Sequence, residues 1–277
     1  MGERCPLVVF TKHLRGWELE ELAGALASAG ADGADLCVRP GYPVEPETVA
    51  KTLPEAVRVF EARGLVIPLV TLPGDFTDPA HPAAGTIWKV CGECGVRHVK
   101  IGYWFVEEGG YWATVERCRR RLAEFEELSA ACGVTTLVHT HSMETMGLNA
   151  AGAMNLVRGF DPRRIGVFPD TGHLSVVGEP LNMALDIVRD HLAALAVKDF
   201  VKVRTEKEVR TRWETKVVPL GEGFVDFDVL SETLEKLAFS GPISLHSEYD
   251  MSVPEVLART KKDVAFFRRK VNAGSLR

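Results

Sequence analysis

The chain has 277 residues, 46% of them hydrophobic and 26% charged, which is the make-up of an ordinary soluble protein able to bury its own core. Thirty-three Lys and Arg against 38 Asp and Glu leave a net charge of −5, which argues against the basic face that nucleic-acid binding needs. No apolar run reaches the roughly 18–20 residues of a membrane span, and the segment from Met1 to Pro6 leads into an apolar run too short for a secretory signal, so the expected location is the cytoplasm.

Short β-rich runs recur along the chain. In order they are Leu7–Phe10, Ala34–Val38, Val66–Val70, His98–Ile101, Thr135–Val138, Ile165–Phe168, Ala194–Val197 and Ile243–Leu245. Between them lie helical segments. Trp17–Ala29 carries Leu19, Leu22, Ala23, Leu26 and Ala27 at helical spacing and stops at Gly30. Leu53–Ala62 stops at Gly64, Thr114–Cys132 stops at Gly133, and Phe227–Phe239 and Val256–Phe267 follow. Glycines at 30, 64, 95 and 133 each fall just before a strand. Strict strand–helix alternation predicts a parallel sheet with helical cover, and eight such units predict a single (β/α)8 TIM barrel over residues 1–277. A doubly wound open sheet is the rival, but no Gly-x-Gly-x-x-Gly follows the first strand. The longest interval holds Val201–Val218, expected as an extended loop or β-excursion over the barrel mouth. The six cysteines are irregularly spaced, and the Cys91–Cys94 pair lacks the second close pair a zinc site wants, so they are expected as free structural thiols.

Chemistry in such a barrel gathers at the C-terminal strand ends. Those ends carry Thr11 and Lys12, then Arg39, Thr71, Lys100 with Tyr103 and Trp104, and His139 with His141 and Glu144. Asp170 with His173, Lys198 with Asp199, and His246 with Glu248 complete the ring. Imidazole and carboxylate together suit a divalent metal of Zn, Mn, Fe or Co type. Alternation along a strand places His139 and His141 on one face, and His246 and Glu248 on one face.

The stretches Gly33–Gly41, Phe168–His173, Val197–Phe200, Pro219–Phe227 and Gly241–Tyr249 resemble the sugar phosphate isomerase/epimerase family with its xylose isomerase-like barrel. The Asp-x-Gly-His, Lys-Asp-Phe and Gly-x-Gly-x-x-Asp-Phe elements in this order carry the likeness. It implies one divalent metal held by Glu, Asp, His and Glu from strands 5 to 8. Only the Asp is kept, as Asp170. His139 and His246 stand at the two Glu positions, and Ala196 stands where the strand 7 His is expected. The implied metal set is therefore His139, Asp170 and His246, with a nitrogen-liking ion such as Zn, Mn or Co preferred to Mg.

The implied reaction is proton abstraction next to the carbonyl of a sugar or polyol, with isomerisation or epimerisation. His139, His246, Glu248 and Lys198 are the expected catalytic residues. Histidine is a competent base near neutral pH, and Lys198 can hold an oxyanion. Arg39, Lys100, Trp104, His141, His173 and Asp199 are expected to bind substrate. A lyase resembling inosose dehydratase, which the His-x-His segment favours, and a metal-free sugar-binding member, which Ala196 favours, are the alternatives. A homodimer is the expected assembly, and a nuclease of this barrel class ranks last.

Overall fold

The computed structural model describes residues 5–207 and 210–271. Met1–Arg4, where the segment weighed as a leader begins, lie outside the described residues. Eight parallel strands form the ring: β1 (Leu7–Phe10), β2 (Gly33–Cys37), β3 (Val66–Thr71), β4 (His98–Lys100), β5 (Thr135–His139), β6 (Ile165–Phe168), β7 (Leu195–Val197) and, after an inserted hairpin, β10 (Ile243–Leu245). Their order is β6-β5-β4-β3-β2-β1-β10-β7. Closure between β6 and β7 rests on two single bridges, Val167 to Leu192 and Asp170 to Ala196. The predicted (β/α)8 barrel is thus the observed fold, with a thin seam at β6/β7.

The helices cover the outside. They are α1 (Leu19–Ala29), α2 (Val49–Glu61), α3 (Ala84–Glu93), α4 (Gly110–Cys132), α5 (Ala150–Val157), α6 (Thr171–Val176), α7 (Leu181–Ile187), α8 (Phe227–Lys236) and α9 (Val253–Val271). Gly30 and Gly133 take left-handed φ of 79° and 69° at their helix ends, the conformation for which glycine carries no Cβ penalty. The start of α2 lies four residues ahead of the expected Leu53, because the helix runs through Pro54. The excursion over the mouth is an antiparallel hairpin, β8 (Asp199–Lys207) with β9 (Arg210–Val218).

Two apolar layers hold the fold. The larger lies between strands and helices. The smaller fills the barrel interior with Val8, Leu69, Leu137, Phe168, Ala194 and Ala196. Phe168 is fully buried there, and the small Ala194 and Ala196 leave room for its ring. Ala196 is thus a packing residue below the mouth. All six cysteines are free thiols.

The last helix is tied to the eighth strand through Asp263, which accepts the Tyr249 hydroxyl and the Leu220 N–H. Burial pushes this carboxyl up to about 6, above its unfolded value. The native state therefore binds the proton more tightly, and the stability this group contributes is lost as pH rises from about 4 through 6. Asp263→Asn keeps an acceptor and removes the charge. The variant is expected to be more stable than the parent at pH 8 by about 2 kcal/mol, with the gap about halved at pH 5. Urea unfolding at both pH values measures this, and a gap independent of pH would refute it.

Candidate active site

A cavity of about 220 Å³ opens at the C-terminal mouth of the barrel. Strand exits supply its walls: Lys12 after β1, Arg39 after β2, Thr71 on β3, Lys100 on β4, His139 and His141 on and after β5, Lys198 after β7, and His246 and Glu248 after β10. Both members of each His139/His141 and His246/Glu248 pair reach the cavity, His139 from the last position of its strand and the other three from just beyond the strand ends.

His139 and His246 of this wall converge with the fully buried Asp170 behind them, one ligand-type atom of each within 4.8 Å of the others. His139 Nε2 lies 3.7 Å from Asp170 Oδ2, and His246 Nδ1 lies 3.8 Å from the same oxygen. Asp170 sits at the N-cap of α6, where its other oxygen, Oδ1, accepts the His173 N–H at 3.0 Å. The imidazole rings of His139 and His246 run parallel, 5.8 Å apart, held by Phe10 and Phe168. His139 Nε2 and Asp170 Oδ2 are buried without hydrogen-bond partners among the described residues. Buried polar atoms are almost always paired, so two that face each other beside a cavity are free to ligate a cation. Two imidazoles and one carboxylate fit a Zn-type ion with open positions. Burial, then the neighbouring Lys100, holds the His139 imidazole well below its ordinary value, in the neutral form that ligates.

A charged wall adjoins the triad. Glu248 takes Lys12 on one oxygen and Lys198 on the other. Lys198 Nζ also lies 3.9 Å from Asp170 Oδ2. Burial works against the Lys198 ammonium, but Asp170 and Glu248 outweigh it and hold its basicity above the ordinary value. Burial likewise opposes the Asp170 charge, and His173 and Lys198 more than offset it, so the carboxyl stays below its usual range.

His141 rests its ring 3.9 Å from that of His173. Its Nδ1 meets the Ser142 carbonyl oxygen at 2.7 Å. A carbonyl only accepts, so Nδ1 carries the proton and Nε2 keeps a basic lone pair. His173 itself packs behind His141, with Ser142 Oγ at 2.7 Å from its Nδ1, and is not part of the cavity wall.

Besides His173, two more expected substrate contacts fall elsewhere. Asp199 is fully buried and accepts backbone N–H groups from Phe200, Gly221, Gly223 and Val225. It anchors the segment after the hairpin, and a Cβ at Gly223 would stand 2.1 Å from its Oδ1. The Lys-Asp-Phe and Gly-x-Gly elements are therefore one structural clasp. Trp104 is buried away from the cavity, and Tyr103 lines it instead. Glu144 lies in a separate apolar groove with Phe105 and Met143.

One residue escaped the sequence reading. Asp35 on β2 is fully buried, accepts the Thr71 and Ser244 hydroxyls at 2.6 and 2.9 Å, and lies 3.6 Å from His246 Nε2. At that distance it makes no hydrogen bond, so His246 Nε2, like His139 Nε2, is buried without a partner among the described residues, and Asp35 supplies negative charge behind the ring. The available signal was a lone acid inside the apolar run Ala34–Val38.

Fold and site together define a TIM barrel with a histidine- and lysine-rich ligand cavity at its mouth. The chain belongs to the xylose isomerase-like TIM barrel family, whose profile matches residues 23–270. It is 28% identical over 151 residues to the L-ribulose-5-phosphate 3-epimerase UlaE of Escherichia coli, an alignment covering 54% of this chain and 49% of that protein. The chain thus matches about half the length of this curated relative. The D-psicose 3-epimerase of Clostridium cellulolyticum H10 superposes with a TM-score of 0.74 at 12% identity, covering 96% of this chain and 99% of that one. The 3-keto-D-glucoside 4-epimerase of E. coli superposes with the same score at 15% identity, covering 96% and 100%. These likenesses extend the fold across nearly the whole chain. No helix among the described residues is long and apolar enough to cross a membrane.

Proposed function

We propose that the protein is a metal-assisted sugar epimerase or isomerase. One observation carries this reading: the unpartnered His139 Nε2 and the unpartnered, fully buried Asp170 Oδ2 meet His246 beside a cavity whose wall bears an imidazole nitrogen with a free lone pair. The relatives' names, three of them sugar epimerases, support it.

His139, Asp170 and His246 would hold a divalent cation, which supplies polarisation of a sugar carbonyl. His141 Nε2 takes the proton from the carbon beside that carbonyl. Lys198 holds the negative charge that develops on the substrate oxygen. Glu248, held as a carboxylate by Lys198 and Lys12 on a wall three strands round the ring from β5, fixes the Lys198 ammonium, the proton-bearing group from which the carbon is reprotonated on the other side. Arg39, with its guanidinium on the wall and no acidic partner among the described residues, orients a polar substituent of the substrate.

The test is solvent exchange in D2O with D-tagatose, D-psicose and L-ribulose 5-phosphate, before and after metal depletion. Deuterium should enter at one carbon of at least one sugar and depend on restored Zn²⁺ or Mn²⁺. His141→Gln should slow it about 10²–10⁴-fold, the usual contribution of a positioned base. Metal-independent exchange would remove the role given to the triad, and equal rates in His141→Gln would remove the role given to the base.

A further inference from the structure

Lys100 stands apart from the other charged groups of the mouth. Its side chain is 1% exposed, yet it lines the cavity. Its Nζ has no hydrogen bond among the described residues, while Lys12 and Lys198 are both paired with Glu248. The amine stands 3.7 Å from the centre of the Tyr103 ring, and the nearby guanidinium of Arg39 repels a second positive charge. An amine buried in a pocket beside another cation is the arrangement that makes lysine a nucleophile.

We propose that Lys100 is a covalent carbonyl-binding group: its Nζ adds to the ketone or aldehyde of an open-chain sugar and forms an imine. The Nζ lone pair makes the N–C bond as the carbonyl π pair moves to oxygen. A proton passes from nitrogen to that oxygen and gives the carbinolamine. One further proton from solvent lets the oxygen leave as water while the nitrogen lone pair forms the C=N⁺ bond. No oxidant or reductant is needed. The iminium then acidifies the neighbouring C–H, a second route to the proton chemistry of this cavity. Burial first, then Arg39, holds Lys100 well below its ordinary basicity, against the pull of Asp35, Cys37 and Glu248. This assignment does not rest on the metal triad.

The test uses the whole protein with dihydroxyacetone and sodium cyanoborohydride, which reduces an imine to a permanent secondary amine that peptide mass spectrometry locates. At pH 7 an ordinary lysine is neutral in only about one molecule in 2,500. Lys100 should be modified at least about tenfold faster than the exposed Lys89, in EDTA as well as in metal. Its rate should rise less steeply with pH than that of Lys89, which should climb about tenfold per pH unit. An unmodified Lys100, or one with the pH profile of Lys89, overturns the proposal. Persistence in EDTA separates it from the metal reading, since loss of metal-dependent exchange would leave Lys100 labelling untouched.

Discussion

Asp170→Asn is expected to abolish tight binding of Zn²⁺ or Mn²⁺ and to lower sugar proton exchange about 10²–10⁴-fold, the several kcal/mol that carbonyl polarisation supplies. Asp170 is the only anion of the triad, and its Oδ2 is the point both histidines approach. Asparagine keeps an oxygen for the His173 N–H, so the N-cap of α6 survives. Lys198 keeps Glu248, so no cation is stranded. Calorimetric titration with metal and D2O exchange measure the two effects. Unchanged metal affinity in a folded variant would show that the triad is not the metal site.

Lys198→Met is expected to cost about 3–5 kcal/mol of stability, because it leaves buried carboxylates facing one another without their shared cation. Asp170 is fully buried, and the Glu248 side chain is 17% exposed. Lys12 still pairs with Glu248, but its own side chain is 52% exposed, so it compensates weakly. For a chain of this size the loss corresponds to a fall in Tm of about 10 °C. Metal affinity should move the other way, since the ammonium 3.9 Å from Asp170 Oδ2 opposes any second cation there. Added Mn²⁺ should therefore restore part of the lost stability. Thermal unfolding with and without Mn²⁺ decides it, and a loss below about 1 kcal/mol would mean that the pair behaves as an exposed one.

The architecture was readable because each strand is a short apolar run at a near-constant interval, and parallel pairing follows from the helix between each pair. The start of α2 was not, because Pro54 looks like a boundary and is tolerated five residues into the helix. The site was partly readable from the residues at the strand ends. His139, His141, His246 and Glu248 reach the cavity, two by two. Asp199 and Trp104 each follow a residue that lines the cavity, Lys198 and Tyr103, but lie beyond the ends of the barrel strands, where alternation assigns no face. The partners of Asp199 lie more than 20 residues further on, at Gly221, Gly223 and Val225, which no local pattern reports. Asp35 was hidden for the opposite reason: its hydroxyl partners come from β3 and β10, brought together only by barrel closure.

The thin seam between β6 and β7 gives the triad a mechanical side. One of the two bridges that shut the ring runs through the backbone of Asp170. The triad draws its members from β5, from the end of β6 and from β10, so it reaches over the seam and past β7. An ion held by these three side chains would be a cross-link where the backbone ladder is sparsest. Opening the seam would pull the ligands apart, and filling the site would oppose that opening. Occupancy and barrel closure would therefore be thermodynamically linked, each strengthening the other by the same free energy.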